Sequence, residues 1–276
     1  MGLHFQAPNM SAQDQMPKRS SHLSRYLRRL KWLAYKLLHR RSIVADDLLG
    51  FRLRLEFSDV SAPPIYFGNY EQEEASLVCK LVRPGVTALD VGANIGYFTL
   101  LIASRAGPQG KVHAFEPNPA MFKRLTENLV LNPEFTDGRV MLHQIALGVD
   151  AGEAEFFCPI IGHEGVGGLK DTERAPLSNI IRTSVQTLDG FVRDERIDRI
   201  DFIKMDVEGG ELDVLRGGHR ALAILRPTIL FEACELNTTA YGYRVFEILN
   251  YLEQRNYVVN QAGLGQNFLA TPKERA

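Results

Sequence analysis

Several things are scarce in this chain of 276 residues, and each scarcity removes a class of protein. There is one tryptophan, and the three cysteines, Cys79, Cys158 and Cys234, show no metal-ligand spacing. A disulfide framework is therefore not expected, and a reducing cytoplasm fits. No uninterrupted apolar run reaches the length of a membrane-spanning helix. The first residues lack the basic, apolar and small-residue order of a signal peptide, and Gln6 stands where an acylation motif has Ser or Thr. Internal repeats and low-complexity segments are missing. So are the G-x-G-x-x-G fingerprint of dinucleotide sites and the Gly-Lys-Ser/Thr of a phosphate loop. Net charge is close to nil, formally -1 from 32 Lys and Arg against 33 Asp and Glu. With 45% hydrophobic and 24% charged residues, the composition is that of an ordinary folded protein.

One stretch lacks charge of a single sign. Between Lys18 and Arg41 stand nine Lys or Arg and no Asp or Glu. Leu23, Leu27, Leu30, Ala34 and Leu37 recur there at helical spacing, with Trp32 and Tyr35 nearby, which reads as a basic amphipathic helix. Contact with an anionic membrane surface is one use for such a helix. Docking on the domain with the charges in water is the plain alternative. RNA ranks below both, so nucleic acid is not an expected partner. Residues 1–17 read as a disordered tail, 18–45 as the basic helix, and 46–84 as an extension of one strand and one helix. The main domain is expected over 85–276, and Met10 and Met16 are other candidate starts.

What is present is a regular alternation. Phe51, Leu53, Leu55 and Phe57 alternate with polar residues, a strand with one buried face. "SAPPIYFGNY" reads as a loop and "EQEEASLVCKLV" as a helix. Strands follow at "VTALDVG", "KVHAFEP" and "RVMLHQIAL", with helices at "NIGYFTLLIASRAG" and "PAMFKRLTENLVLN" between them. Residues 148–182 break the rhythm, with strands at "EAEFFCPI" and "SVQTL" around a glycine-rich loop placed to carry substrate contacts. The series resumes with "DFIKMD", a helix from Glu211, "TILFEAC", a helix near Val245 to Gln254, and a last pair, "YVVN" and "NFLA". This order predicts an α/β fold, a doubly wound and mostly parallel sheet with helices on both faces.

The strand-to-helix turn "LDVGANIGYF" is where such a sheet holds its ligand. Gly92 and Gly96 let the chain bend and a ligand approach the backbone. Glu116 closes the next strand, where an acid can accept hydrogen bonds from both hydroxyls of a ribose. A glycine loop without a phosphate signature, followed by a ribose acid, suggests S-adenosyl-L-methionine as the cofactor.

Five segments, "ALDVGANIGYFTL", "VHAFEPNP", "QTLDGF", "IDFIKMDVEGGELDVLRGG" and "PTILFEACE", together resemble the FkbM family of S-adenosylmethionine-dependent methyltransferases. The upstream "FGNYEQEE" resembles that family's G-x-Y-E segment. The resemblance implies a Rossmann-like class I methyltransferase fold ending in an antiparallel strand. It also implies methyl transfer to a hydroxyl of a sugar, glycan or polyketide-like acceptor. An N-methyltransferase acting on an amine, and a non-catalytic cofactor-binding module working through the basic helix, are the alternatives.

On this reading the cofactor-binding residues are Glu71, Asp90, Gly92, Asn94, Gly96, Glu116, Pro117 and Ala146. Glu71 is assigned by the resemblance to the open end of the cleft, where an acid can meet the methionine ammonium. The catalytic candidates are Asp206, Glu208 and Glu232. An alcohol is a poor nucleophile until its proton is taken, so a base or a metal is expected. Glu208 is the preferred proton acceptor, and Asp206 the residue that positions the sulfonium end or the acceptor. Three acids invite a divalent cation, but no metal ligands are assigned. Glu211 reads as a first-turn helix acid, Lys204 as an outward residue or an acid's partner, and His163 as a loop residue left outside the site.

Overall fold

The computed structural model describes residues 22–160, 164–263 and 265–276. The expected tail over 1–17, Lys18, Arg19 and His163 lie outside them. The described part of the basic helix, α1 (His22–Leu37), ends before the residue 45 expected. It ends where His39 takes a left-handed conformation, and residues 42–45 already belong to a strand. That strand, β1 (Ser42–Leu48), pairs antiparallel with β2 (Phe51–Glu56), which buries Phe51, Leu53 and Leu55 as the alternation predicts.

The segment expected as a loop contains a short helix, α2 (Ala62–Phe67). Pro63 and Pro64 stand in its first turn, where an amide N–H has no partner to lose, so proline starts this helix rather than breaking it. Then come α3 (Gln72–Leu81), β3 (Thr87–Val91), α4 (Tyr97–Ala106), β4 (Lys111–Phe115) and α5 (Pro119–Val130). The strand expected over "RVMLHQIAL" divides. β5 (Val140–His143) stays at the edge of the main sheet, while β6 (Ala146–Leu147) turns away to pair with a second sheet. That sheet is completed by β7 (Gly152–Pro159) and β8 (Leu177–Gln186), in the order β6-β8-β7.

After α6 (Leu188–Asp194) the chain re-enters the main sheet as β9 (Phe202–Met205). It continues through α7 (Glu211–Gly217), α8 (His219–Leu225), β10 (Thr228–Glu232), α9 (Glu235–Ala240) and α10 (Val245–Glu253) to a final hairpin, β11 (Tyr257–Gln261) and β12 (Asn267–Pro272). The main sheet runs β11-β12-β10-β9-β3-β4-β5, with β10, β9, β3, β4 and β5 parallel and β12 antiparallel to both its neighbours, β10 and β11. This is the class I methyltransferase arrangement, a doubly wound sheet with one reversed strand next to an edge.

Alternation along the strands builds two cores. Ala88, Val112, Phe202 and Leu230 face the layer of α3 and α4 and the β1–β2 hairpin. Their neighbours Leu89, Phe115, Ile203 and Ile229 face α6, α7 and α10. Strands buried on both faces in this way read as near-continuous apolar runs. The order reverses between β3 and β9, and crevices at such switch points collect ligands.

Candidate active site

Two turns leave the carboxyl ends of neighbouring strands and meet there. Parallel register aligns Val91 with Met205 and with Phe115, so the chain exits β3, β9 and β4 at one level. The turn after β3 is held from β4: Gly92 and Ala93 both donate their N–H to the Phe115 carbonyl, at 3.0 and 2.9 Å. Gly92 has φ +86°, and a Cβ there would run into the carbonyl of Asp206. Only glycine permits this approach.

Glu116 ends β4 and is 6% exposed. Its Oε2 accepts the N–H of Asn94 and its Oε1 the N–H of Asn118, both at 2.8 Å. Asn118 then caps α5 and Pro119 takes the first helical position, so the chain turns sharply beside the carboxylate. Burial pushes the Glu116 carboxyl up to about 7, against the pull of the two N–H donors. Each oxygen keeps a second lone pair, and the residue lines a cavity with about 1020 Å³ of empty space counting its open mouth. Phe115, Ile145, Ala146, Leu147 and Phe156 give the cavity an apolar part of its wall.

The acidic turn lines the same cavity through Asp206, Val207, Glu208 and Gly210. Lys204 is 5% exposed, and its ammonium lies 2.9 Å from Oδ2 of Asp206 and 4.7 Å from the centre of the Phe98 ring. Burial works to lower its pKa, but Asp206, Glu71 and Asp90 together override this and raise it. Of the two expectations for Lys204, the acid's partner is the one the geometry carries. Glu208 has φ +55° and accepts on Oε2 from both Arg174 and the amide of Asn237. Burial, then the charge of Asp206, push its carboxyl up to about 9, with Arg174 pulling the other way.

Glu211 does open α7, as expected of a first-turn acid, but it is 1% exposed rather than solvated. Its Oε1 accepts from the N–H of Val207 and of Gly209, both at 3.2 Å, and its Oε2 is buried without a partner. Burial raises its carboxyl to about 8. A Cβ on Gly209, at φ +106°, would meet the Asn237 carbonyl at 2.6 Å. The Tyr243 hydroxyl donates to the Gly209 carbonyl and accepts the Leu212 N–H. The turn is thus a braced structure.

The cavity brings together Gly92, Asn94, Glu116, Pro117, Ala146, Asp206 and Glu208 of the expected residues. Asp90, Gly96, Glu71 and Glu232 are not on its wall. Asp90 is wholly buried behind the loop, where its Oδ2 accepts from the Thr99 hydroxyl at 2.5 Å and its Oδ1 has no partner. That placement sets it under α4 rather than on the cavity wall. Gly96 caps α4, and a Cβ there would meet Leu125 at 2.6 Å. Glu71, left-handed at φ +38° before α3, and Glu232, at the end of β10, both interact with Lys204 and Asp206. Burial raises both to about 7. Lys204 lowers each of them, and Asp206 pushes each of them up.

Sequence reading missed Tyr70, Lys204 as a wall residue, Asp213 and Tyr241. It also missed Arg174, Asn237 and Tyr243, which hold the turn from afar. Gly165, Gly167, Gly168 and Leu169 bring the glycine-rich loop onto the cavity wall, as its length suggested. Among the described residues, no group of three His, Cys, Asp or Glu is placed to hold a metal ion, and no helix is long and apolar enough to cross a membrane.

The methyltransferase FkbM domain model matches residues 90–259. The chain is 29% identical over 192 residues to the hexuronic acid methyltransferase AglP of Haloferax volcanii, covering 69% of this chain and 74% of AglP. It is 33% identical over 162 residues to the 31-O-demethyl-FK506 methyltransferase FkbM of Streptomyces tacrolimicus, covering 49% and 60%. It is 31% identical over 188 residues to the AMB antimetabolite synthetase AmbE of Pseudomonas aeruginosa, covering 54% of this chain but only 8% of AmbE.

Proposed function

Since the chain belongs to the FkbM family of S-adenosylmethionine-dependent methyltransferases, we propose that it transfers a methyl group to a hydroxyl of a sugar, glycan or polyketide-like acceptor. The observation that carries this is the pairing, on the wall of one cavity, of Glu116 and apolar side chains with the carboxylates of the acidic turn. The first suits a ribose and its base, and the second suits a cation and a proton transfer. The names of AglP and FkbM, a hexuronic acid and a 31-O position, support a hydroxyl acceptor.

When bound, S-adenosylmethionine supplies an activated methyl group on a positively charged sulfonium. Glu116 would accept from the ribose hydroxyls through its free lone pairs, with Pro117 and Ala146 beside it. Asp206 keeps one oxygen on Lys204 and lines the cavity, where it would orient the acceptor or the sulfonium end. Glu208 takes the acceptor's proton. Its raised pKa makes it a stronger base than an ordinary carboxylate once ionised. Much of the remaining rate enhancement comes from alignment.

The test uses two variants. Glu116→Ala should weaken binding of S-adenosylhomocysteine in calorimetry by about 1–3 kcal/mol for each charge-assisted bond lost. Glu208→Gln should bind it normally and lose transfer of labelled methyl to hydroxyl-bearing saccharides. Unchanged affinity in the first would remove Glu116 from the ribose, and full turnover in the second would move the base elsewhere. Label appearing only on amines would favour nitrogen as the acceptor. Binding without transfer to any extract would make the chain a cofactor-binding module.

A further inference from the structure

Helix α1 is docked with the wrong face inward for an ordinary surface helix. Trp32, on its inner side, is 8% exposed and packs on the rings of Phe57, Tyr66 and Phe67, with centroids 4.6, 5.1 and 5.5 Å away. Arg28 on the same side donates to the Tyr66 carbonyl at 3.2 Å. At 3.6 residues per turn, Tyr26, Leu27, Leu30, Leu33, Ala34 and Leu37 fall on the opposite face, and all six are exposed. Leu33 is 55% and Leu37 78% exposed. An amphipathic helix that served only the domain would bury this stripe. Contiguous exposed apolar surface of this kind marks an interaction site.

The charges beside the stripe select its occupant. Arg29 and Lys36 flank one side, Lys31 the other, and Arg40 and Arg41 follow the last turn. The acid that meets them is Asp46 of β1, 3.6 Å from Lys31. A second copy of this helix would bring cations against cations with no carboxylate from the helix to relieve them. An anionic bilayer accepts both features: leucines in the headgroup boundary and cations on lipid phosphates and carboxylates. We propose that the leucine face of α1, with the helix still docked through Trp32, rests on an anionic membrane surface. Tyr66 and Phe67 of α2 hold Trp32, and Ser61 and Ile65 at the same helix line the cavity, so attachment here puts the bilayer beside the site. The inference is read by vesicle binding alone and does not depend on methyl transfer.

The full chain should float with phosphatidylserine-containing phosphatidylcholine vesicles, not with phosphatidylcholine alone, and be released by high salt. Leu30→Glu/Leu33→Glu, two exposed substitutions, should cut that binding about tenfold or more while leaving the melting temperature and S-adenosylhomocysteine binding unchanged. Because Trp32 is the only tryptophan and faces the domain, brominated lipids should quench it little. Leu33→Trp in a Trp32→Phe background should be quenched strongly. Flotation that ignores the leucine substitutions would reduce the contact to charge and overturn the proposal. Strong quenching of Trp32 would overturn the docked pose. Absence of flotation with a leucine-dependent dimer, or with leucine-dependent RNA binding, would assign the face to that partner instead.

Discussion

The glycine turn after β3 and the acidic turn after β9 do the same geometric task by opposite means. Each ends a buried parallel strand and presents polar groups to one cavity. The glycine turn is held locally: its N–H groups bond to Phe115 on the adjacent strand and to Glu116 just beyond it. The acidic turn is held from a distance, by Tyr243 on Gly209, Asn237 on Glu208, and Arg174 from the loop before β8. A turn rich in backbone donors finds partners nearby. A turn rich in carboxylates needs donors imported from elsewhere, because buried acids left without them are costly.

The most damaging way to break the comparison is to act where the two turns touch. Gly92→Ala places a methyl against the Asp206 carbonyl at a φ that side chains rarely adopt. Both turns must move, so the loss should exceed roughly 3 kcal/mol in urea unfolding and remove S-adenosylhomocysteine binding. A variant with the parent's midpoint and affinity would refute the close approach.

Titration separates the two turns more gently. Glu211 has an ordinary pKa near 4.5 and a folded one of about 8, so the folded state holds its proton more tightly. Its contribution to stability is complete below the unfolded value and is lost as pH rises to about 8, at most ~1.4 kcal/mol per pH unit. Glu211→Gln keeps an oxygen for Val207 and Gly209 and removes the titration, so its melting temperature should fall less between pH 5 and 8. Glu116→Gln should flatten the curve only up to about pH 7, where its own carboxyl finishes titrating. Identical pH curves for parent and Glu211→Gln would mean that Glu211 is solvated after all.

Legibility in the sequence follows the same division. The alternation of strands and helices and the wall residues Gly92, Asn94, Glu116, Pro117, Asp206 and Glu208 come from short-range pattern, since strand ends and turn residues announce themselves, whereas the antiparallel last strand comes from the family resemblance. The braces did not, because Asn237 and Tyr243 reach their targets across 29 and 34 residues, and no spacing encodes such a contact. Glu211 misled because a first-turn acid and a buried turn anchor are written with the same letter at the same place. The α2 prolines misled because proline signals a loop except in a helix's first turn. The division of the strand into β5 and β6 depended on β8, whose pairing edge lies some 40 residues on.

The smallest expected effect isolates the arginine brace. Arg174, with its side chain 31% exposed, pairs with a Glu208 carboxylate that is 10% exposed. Screening at a partly open arginine limits the pair's contribution, and Arg174→Met should cost under about 1 kcal/mol of stability. The pH profile is the sensitive readout. Arg174 lowers the pKa of Glu208 while burial and Asp206 raise it, so removing the cation leaves only the raising influences. The carboxylate that accepts the proton then forms at higher pH, and the rising alkaline limb of kcat should move to higher pH. Glu208→Gln should show no such limb to move. Should Arg174→Met lower kcat equally at every pH, Arg174 would be placing the loop or the acceptor rather than tuning the base.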